Sequence, residues 1–280
     1  MSTLTISAAE VNKLRQQTGA GMMDCKKALT ESNGDFETAV DYLRKKGQKV
    51  ANNRSDRDAK EGLVLGKVAA DGKKGVLLVL NCETDFVAIN QDFINFAESL
   101  LTLSVTNSVN SVEELSALSL DGVQVSDKLF DMIGKIGEKI EISQFEAITG
   151  NKVVVYNHPG NKLTAMVALS SGAAANINEI GRDVAMQIAA MAPVAIDKGD
   201  VDTDTLNREI EIGKDQARQE GKAEEMLEKI ALGKLNKFYK ENTLLNQSYI
   251  KDEKQTISQL LDATEKGLTV TAFKRVKLGA

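Results

Sequence analysis

Few residues in this chain are suited to covalent chemistry. Its 280 residues include two cysteines, Cys25 and Cys82, and one histidine, His158. A thiol and an imidazole can act as nucleophile and base, but a third group must orient the base, and none is evident. Cys25 falls inside a helical pattern and Cys82 follows an apolar strand pattern. In such places a free cysteine is commonly a small buried hydrophobe. The same count leaves no room for a multi-histidine centre, a cysteine-based zinc site or a disulfide scaffold. No G-x-x-x-x-G-K-[ST] run occurs, so the chain has no P-loop of its own for GTP. The expectation is a protein without a cofactor, without a metal and without covalent catalysis, and this directs attention to contact chemistry. Three places could supply it. Asp85-Phe86 lies between a strand pattern and a helix pattern, Met22-Met23 opens a helix, and His158 precedes Pro159 at a turn. Each has a plainer reading as core or surface. Adjacent residues cannot share one helix face, however, so at least one of the two methionines is expected to be exposed.

Composition narrows the classes further. Apolar residues make up 42% and charged residues 27%, enough for a packed core. The net charge is −5 and the pI is near 5.2. A dedicated nucleic-acid binder carries a basic face, and with aromatics at 4% and no Trp, stacking platforms are scarce too. No direct nucleic-acid contact is expected. Lys26-Lys27 and Arg44-Lys45-Lys46 read as solvated basic faces. No run approaches the length of a membrane span. Residues 1–10 lack the basic-then-apolar order of a secretory leader. A cytoplasmic protein is expected, without a membrane partner.

The elements that must position these residues follow from periodicity. Ser7 and Glu10 fit a capping box. Gly19-Ala20-Gly21 breaks the first helix, a second runs from about Met22 to Glu31, and Asn33-Gly34 is a turn. Asp35 caps a third, with Phe36, Ala39, Val40 and Leu43 on one side and Gly47 as its end. The polar stretch 48–61 reads as an exposed helix or linker. Leu63–Ala69 and Gly75–Leu80 form a hairpin around Asp71-Gly72. A loop over 81–90 then leads to a helix with Phe93, Phe96, Ala97, Leu100 and Leu101 at helical spacing. A helix near 126–133 and a strand near 139–148 follow. The same order returns later. Strands at 152–156 and 163–169 flank His158-Pro159-Gly160-Asn161, and a helix carries Ile177, Ile180, Val184, Ile188 and Met191 on one face. Residues 203–246 read as two antiparallel helices hinged at Gly221, with Leu206, Ile210, Ala217, Met226, Leu227, Ile230, Leu235 and Phe238 at the seam. The tail gives a short strand, a helix through Ile257, Leu260 and Leu261, and a closing strand at 268–276 that returns to the second sheet.

Two stretches carry a resemblance. Leu14-Arg15 and Thr18-Gly19-Ala20-Gly21-Met22-Met23-Asp24-Cys25-Lys26-Lys27-Ala28-Leu29 form the first, and Asn81-Cys82-Glu83-Thr84-Asp85-Phe86-Val87-Ala88 the second. Together they resemble the twin signatures of bacterial elongation factor Ts. Lys135-Ile136-Gly137-Glu138, Tyr156-Asn157-His158, Gln219-Glu220-Gly221-Lys222 and Gln247-Ser248-Tyr249 extend the likeness over nearly the whole chain. Departures fall at Val79-Leu80, at Ile89 where a Lys or Arg is common, and at Ala223 where a Pro is often seen. The chain ends soon after its last strand, so the C-terminal helical module of some relatives is expected to be absent.

The resemblance implies an α+β fold. Residues 1–55 would form a three-helix module similar to ubiquitin-associated domains. Residues 56–150 and 151–280 would form the two halves of a duplicated α/β core with antiparallel sheets, with the helical-hairpin arm at about 203–246 inserted in the second. It also implies a partner, the GTPase elongation factor Tu, and an activity, promotion of GDP release. Thr84, Asp85, Phe86, Val87, Ile136, Gly137 and His158 would act at the nucleotide end, with the Phe86 ring inserted near the magnesium and switch region and His158 near the phosphate loop. Arg15, Met22 and Met23 would dock the factor on its partner. A scaffold or chaperone-like protein working through the arm is the alternative, and the arm is also a candidate surface for homodimerisation.

Overall fold

A computed structural model describes residues 6–279. Part of the stretch read for a leader, residues 1–5, and residue 280 lie outside the described residues. The reciprocal cap forms. The Glu10 carboxylate accepts from Ser7 N–H at 2.7 Å, and Ser7 Oγ accepts from Glu10 N–H at 3.2 Å. Helix α1 (Ala8–Thr18) follows and stops at Gly19, whose φ of +70° is open to glycine at no steric cost. Helices α2 (Met22–Glu31) and α3 (Phe36–Asn53) complete the three-helix module. Val11, Leu14, Cys25, Ala28, Leu29, Ala39 and Leu43 form its core.

Gly47 does not end α3. The helix runs through it to Asn53, and Val50 and Ala51 pack against the next core, so the first part of the polar stretch is not a linker. The glycine serves a helix crossing instead. A Cβ on Gly47 would fall 2.1 Å from Phe130 O of a later helix, and one on Gly134 of that helix would fall 3.2 Å from Gly47 Cα. Arg44, read as part of a solvated face, turns to the same helix and lies 3.7 Å from Asp127 and 3.6 Å from Asp131.

The chain divides into two compact units. One holds residues 6–65, 76–147 and the end of the last strand, and the other holds 66–75 and 148–276. Strands β1 (Glu61–Val68) and β2 (Lys74–Cys82) form the expected hairpin, most of it in the first unit and its tip over 66–75 in the second. Helices α4 (Asp85–Ala88), α5 (Gln91–Thr106) and α6 (Val112–Ala117) follow, then a small antiparallel hairpin of β3 (Ser119–Leu120) and β4 (Val123–Gln124). Helix α7 (Val125–Ile136) crosses α3, and β5 (Glu141–Thr149) joins the sheet in the order β1-β2-β5. As the middle strand, β2 is buried at nearly every position, which is why it reads as an unbroken apolar run. The five apolar residues of α5 cover it as their spacing predicts.

The second unit repeats this plan. Strands β6 (Lys152–Asn157) and β7 (Leu163–Leu169) pair antiparallel with Val154 opposite Val167, and α8 (Ile177–Met191) covers them. Helices α9 (Thr203–Gln219) and α10 (Glu224–Asn242) form the arm. After β8 (Ser248–Tyr249), β9 (Asp252–Thr256) and α11 (Ile257–Thr264), β10 (Val270–Lys277) adds to the sheet in the order β10-β7-β6. In both sheets a strand that follows a helix is laid beside the second strand of a hairpin, so the duplication extends to topology. Two residues leave the faces expected of them. Met191 is exposed where α8 ends at Ala192, and Met226 is exposed on the arm. The arm seam closes instead on small residues, since a Cβ on Gly213 would lie 3.2 Å from Ala231 Cα.

Candidate partner-binding site

Strand β2 delivers the chain to Cys82, which is fully buried and whose thiol donates to Thr84 O at 3.1 Å. Thr84 then caps α4, its Oγ1 accepting from Val87 N–H at 3.4 Å. The single turn of helix is two-faced. Ala88 is buried and Val87 packs on the first core, while Asp85 is exposed. Phe86 is 78% exposed and Ile89, three residues on, is 76% exposed. A phenylalanine left this open forgoes most of the roughly 1.5–3 kcal/mol that burial would contribute. Asp85 sits in the first turn of α4, where a negative charge suits the helix dipole.

A polar network holds this turn from behind. Glu138 Oε2 accepts from Glu83 N–H at 3.1 Å and from Thr84 N–H at 3.0 Å, and Oε1 accepts from the Thr84 hydroxyl at 2.7 Å. Glu83 answers across the gap, its Oε1 accepting from Lys139 N–H at 2.6 Å. Its carboxylate also takes Arg54 Nη1 at 2.7 and 2.8 Å and Arg57 Nη1 at 3.2 Å. Burial pushes the Glu83 carboxyl up, but the Lys139 N–H and the two guanidinium groups together outweigh it and hold the group below its ordinary value. Lys139 Nζ reaches Ser55 O at 3.1 Å, and Lys135 Nζ reaches Asp92 at 2.7 Å. The turn Ile136-Gly137 therefore lies beside Thr84-Asp85-Phe86, joined to it through Glu138. Gly137 closes α7 at φ +81°, and a Cβ there would meet nothing within 4 Å, so this backbone is open.

The residues expected to dock, Arg15, Met22 and Met23, lie on the three-helix module. Met22 is 55% exposed and Met23 75%, so both methionines project where spacing required one, and Arg15 is exposed on α1. His158 is in the second unit, exposed at the β6–β7 turn, with its Nδ1 3.0 Å from Tyr156 Oη and the two rings edge to face. The backbone N–H of His158 donates to Leu163 O at 2.9 Å, which fixes the turn. Cys25 and Cys82 are buried in separate clusters, and burial pushes the Cys25 thiol up, the opposite of an activated nucleophile. Among the described residues no group of three or more His, Cys, Asp or Glu is placed to hold a metal, and no helix is long and apolar enough to cross a membrane.

Residues 83–280 match the profile of the family described as Elongation factor TS. The chain belongs to the elongation factor Ts family. Proteins named Elongation factor Ts are similar to it along almost their entire length. That of Cytophaga hutchinsonii is 58% identical over 275 residues, 98% of this chain and 99% of its own. That of Flavobacterium psychrophilum is 51% identical over 275 residues, 98% and 99% of the two chains. That of Amoebophilus asiaticus is 48% identical over 277 residues, 99% and 100%. This factor is a translation elongation factor by membership.

Several residues of the site in this elongation factor Ts chain escape a reading of its sequence. Arg54 and Arg57 look like part of a solvated run, yet both end on Glu83. Glu83 and Glu138 belong to recognisable stretches, but the Glu138 carboxylate serves the backbone of Glu83 and Thr84, and the Glu83 carboxylate serves that of Lys139. Each is separated from its partner by more than fifty residues. The only local signal is position: one acid precedes a helix cap, and the other follows a glycine helix end.

Proposed function

We propose that the chain is the guanine-nucleotide exchange factor of elongation factor Tu and accelerates GDP release in the cytoplasm without covalent chemistry. The observation that carries this reading is Phe86, 78% exposed on a turn that its own core and a network of carboxylates hold in place. A ring presented this way is suited to enter a partner. Burying it there contributes about 2–3 kcal/mol, roughly a hundredfold in an equilibrium. If the ring parts elements that hold magnesium and the nucleotide, binding of the factor and of GDP oppose each other, and linkage makes the effect reciprocal. A thousandfold acceleration requires a barrier lower by about 4 kcal/mol, so other groups must share the work. Thr84 and Asp85 present the ring, and Val87 seats it from below. Ile136-Gly137 offers bare backbone beside it, and His158 acts at the phosphate end. Arg15, Met22 and Met23 dock the complex, the unbranched methionines adapting to the surface they meet.

The test separates rate from docking. Release of a fluorescent GDP analogue from elongation factor Tu is followed against factor concentration, giving a limiting rate and a half-saturation. Phe86→Ala is expected to lower the limiting rate far more than it raises half-saturation, and Met23→Ala to do the reverse. Equal loss of both in Phe86→Ala would overturn the wedge.

A further inference from the structure

Helix α4 has four residues. A helix this short does not persist in water on its own, because nucleation costs more than one turn returns. An exposed phenylalanine beside an apolar core also tends to fold back onto it. Something other than helix length must hold the ring outward, and the polar network has the form to do so. Glu138 takes both N–H groups that lead into the turn and the hydroxyl that caps it. Its charge sits at the N-terminal end of α4, where the dipole favours it. Glu83 extends the hold to Arg54, the residue that caps the C-terminal end of α3. Helix α3 belongs to the module that exposes Met22 and Met23, and through Gly47 it touches α7, which leads directly to Glu138.

We propose that Glu138, Glu83 and Arg54 are positioning residues for nucleotide exchange: they fix the Phe86 turn relative to the docking module, so that docking delivers the ring already aimed. The inference rests on the reading of Phe86 as the wedge. Its physical basis is pre-organisation. Backbone left free must be ordered on binding, and that cost would otherwise be met from the wedge's own contacts.

The test uses the full chain and elongation factor Tu loaded with a fluorescent GDP analogue. Glu138→Gln keeps the shape and removes the charge. It is expected to lower the limiting exchange rate roughly ten- to hundredfold, the upper end being what a displacement of about 1 Å can cost where positioning matters. Half-saturation should stay within a factor of about two, as expected for a residue outside the docking face. The deciding readout is the double variant. If Glu138 acts through Phe86, then Glu138→Gln changes nothing further in a Phe86→Ala background, because the two sites couple. Additive losses, or an unchanged limiting rate in Glu138→Gln alone, would overturn the inference while leaving the wedge intact. A Phe86→Ala protein that exchanges normally would remove the wedge reading and this inference with it. Thr84→Val and Thr84→Ser test the same bond from its donor side, should Glu138→Gln reduce the folded yield. Thr84→Ser keeps the hydroxyl and is expected to restore the rate that Thr84→Val loses.

Discussion

At the scale of single residues, exposure separates a side chain available for contact from a packed one. Phe93 and Phe86 lie seven positions apart on neighbouring helices. Phe93 is completely buried and Phe86 projects. Phe86→Ala should therefore leave thermal stability within about 0.5 kcal/mol of the parent, as surface substitutions do, whereas Phe93→Ala should cost about 3–5 kcal/mol. Denaturant melts of the two variants check this contrast. Glu83 supplies a pH test. Its side chain is 11% exposed and its carboxyl is held below the ordinary value of 4.5. A folded value below the unfolded one adds stability that is present above the unfolded value and disappears as pH falls through the folded one. Glu83→Gln should thus cost about 1.5–3 kcal/mol at neutral pH. The gap between parent and variant should close in acid, as urea melts repeated down the pH scale would show.

At the scale of elements, what the sequence made legible was periodic and what it hid was pairwise. The apolar run of β2, the stripe of α5 and the caps at Ser7 and Asp35 are local patterns, and each forms where it is read. Gly47 is the instructive failure. A glycine near basic residues fits a helix end, and only the partner helix reveals it as a crossing point whose Cβ would collide with Phe130 O. Gly47→Ala should therefore destabilise by about 1–3 kcal/mol through overpacking. In an exposed helix the same change stabilises by roughly 0.5–1 kcal/mol. A melting-temperature shift upward would contradict the crossing. The carboxylate clamp was hidden for a similar reason. Hydrogen bonds between residues 83 and 138 or 54 and 83 leave no repeat in the chain. Helix α4 itself reads as loop in the sequence because four residues carry no period.

At the scale of the whole molecule, the chain is a duplicated plan with two additions, a three-helix module before it and a helical arm within the second copy. The order of elements predicted the duplication, and the return of β10 to β7 completes it. The arm buries Gly213, Ala217, Leu227, Ala231 and Leu235 within itself and supplies none of the second core cluster. Replacing α9 and α10 by a short flexible linker should leave the remainder folded and much of the exchange activity in place. A scaffold that works through the arm would instead lose its function entirely. The direct measurement of the central claim is stopped-flow release of a fluorescent GDP analogue from elongation factor Tu of the same organism, with this protein far below stoichiometry. Each molecule of the factor should empty many molecules of its partner, at a rate that rises with dose and falls sharply in Phe86→Ala. Release no faster than the spontaneous rate, despite measurable binding, would contradict that claim.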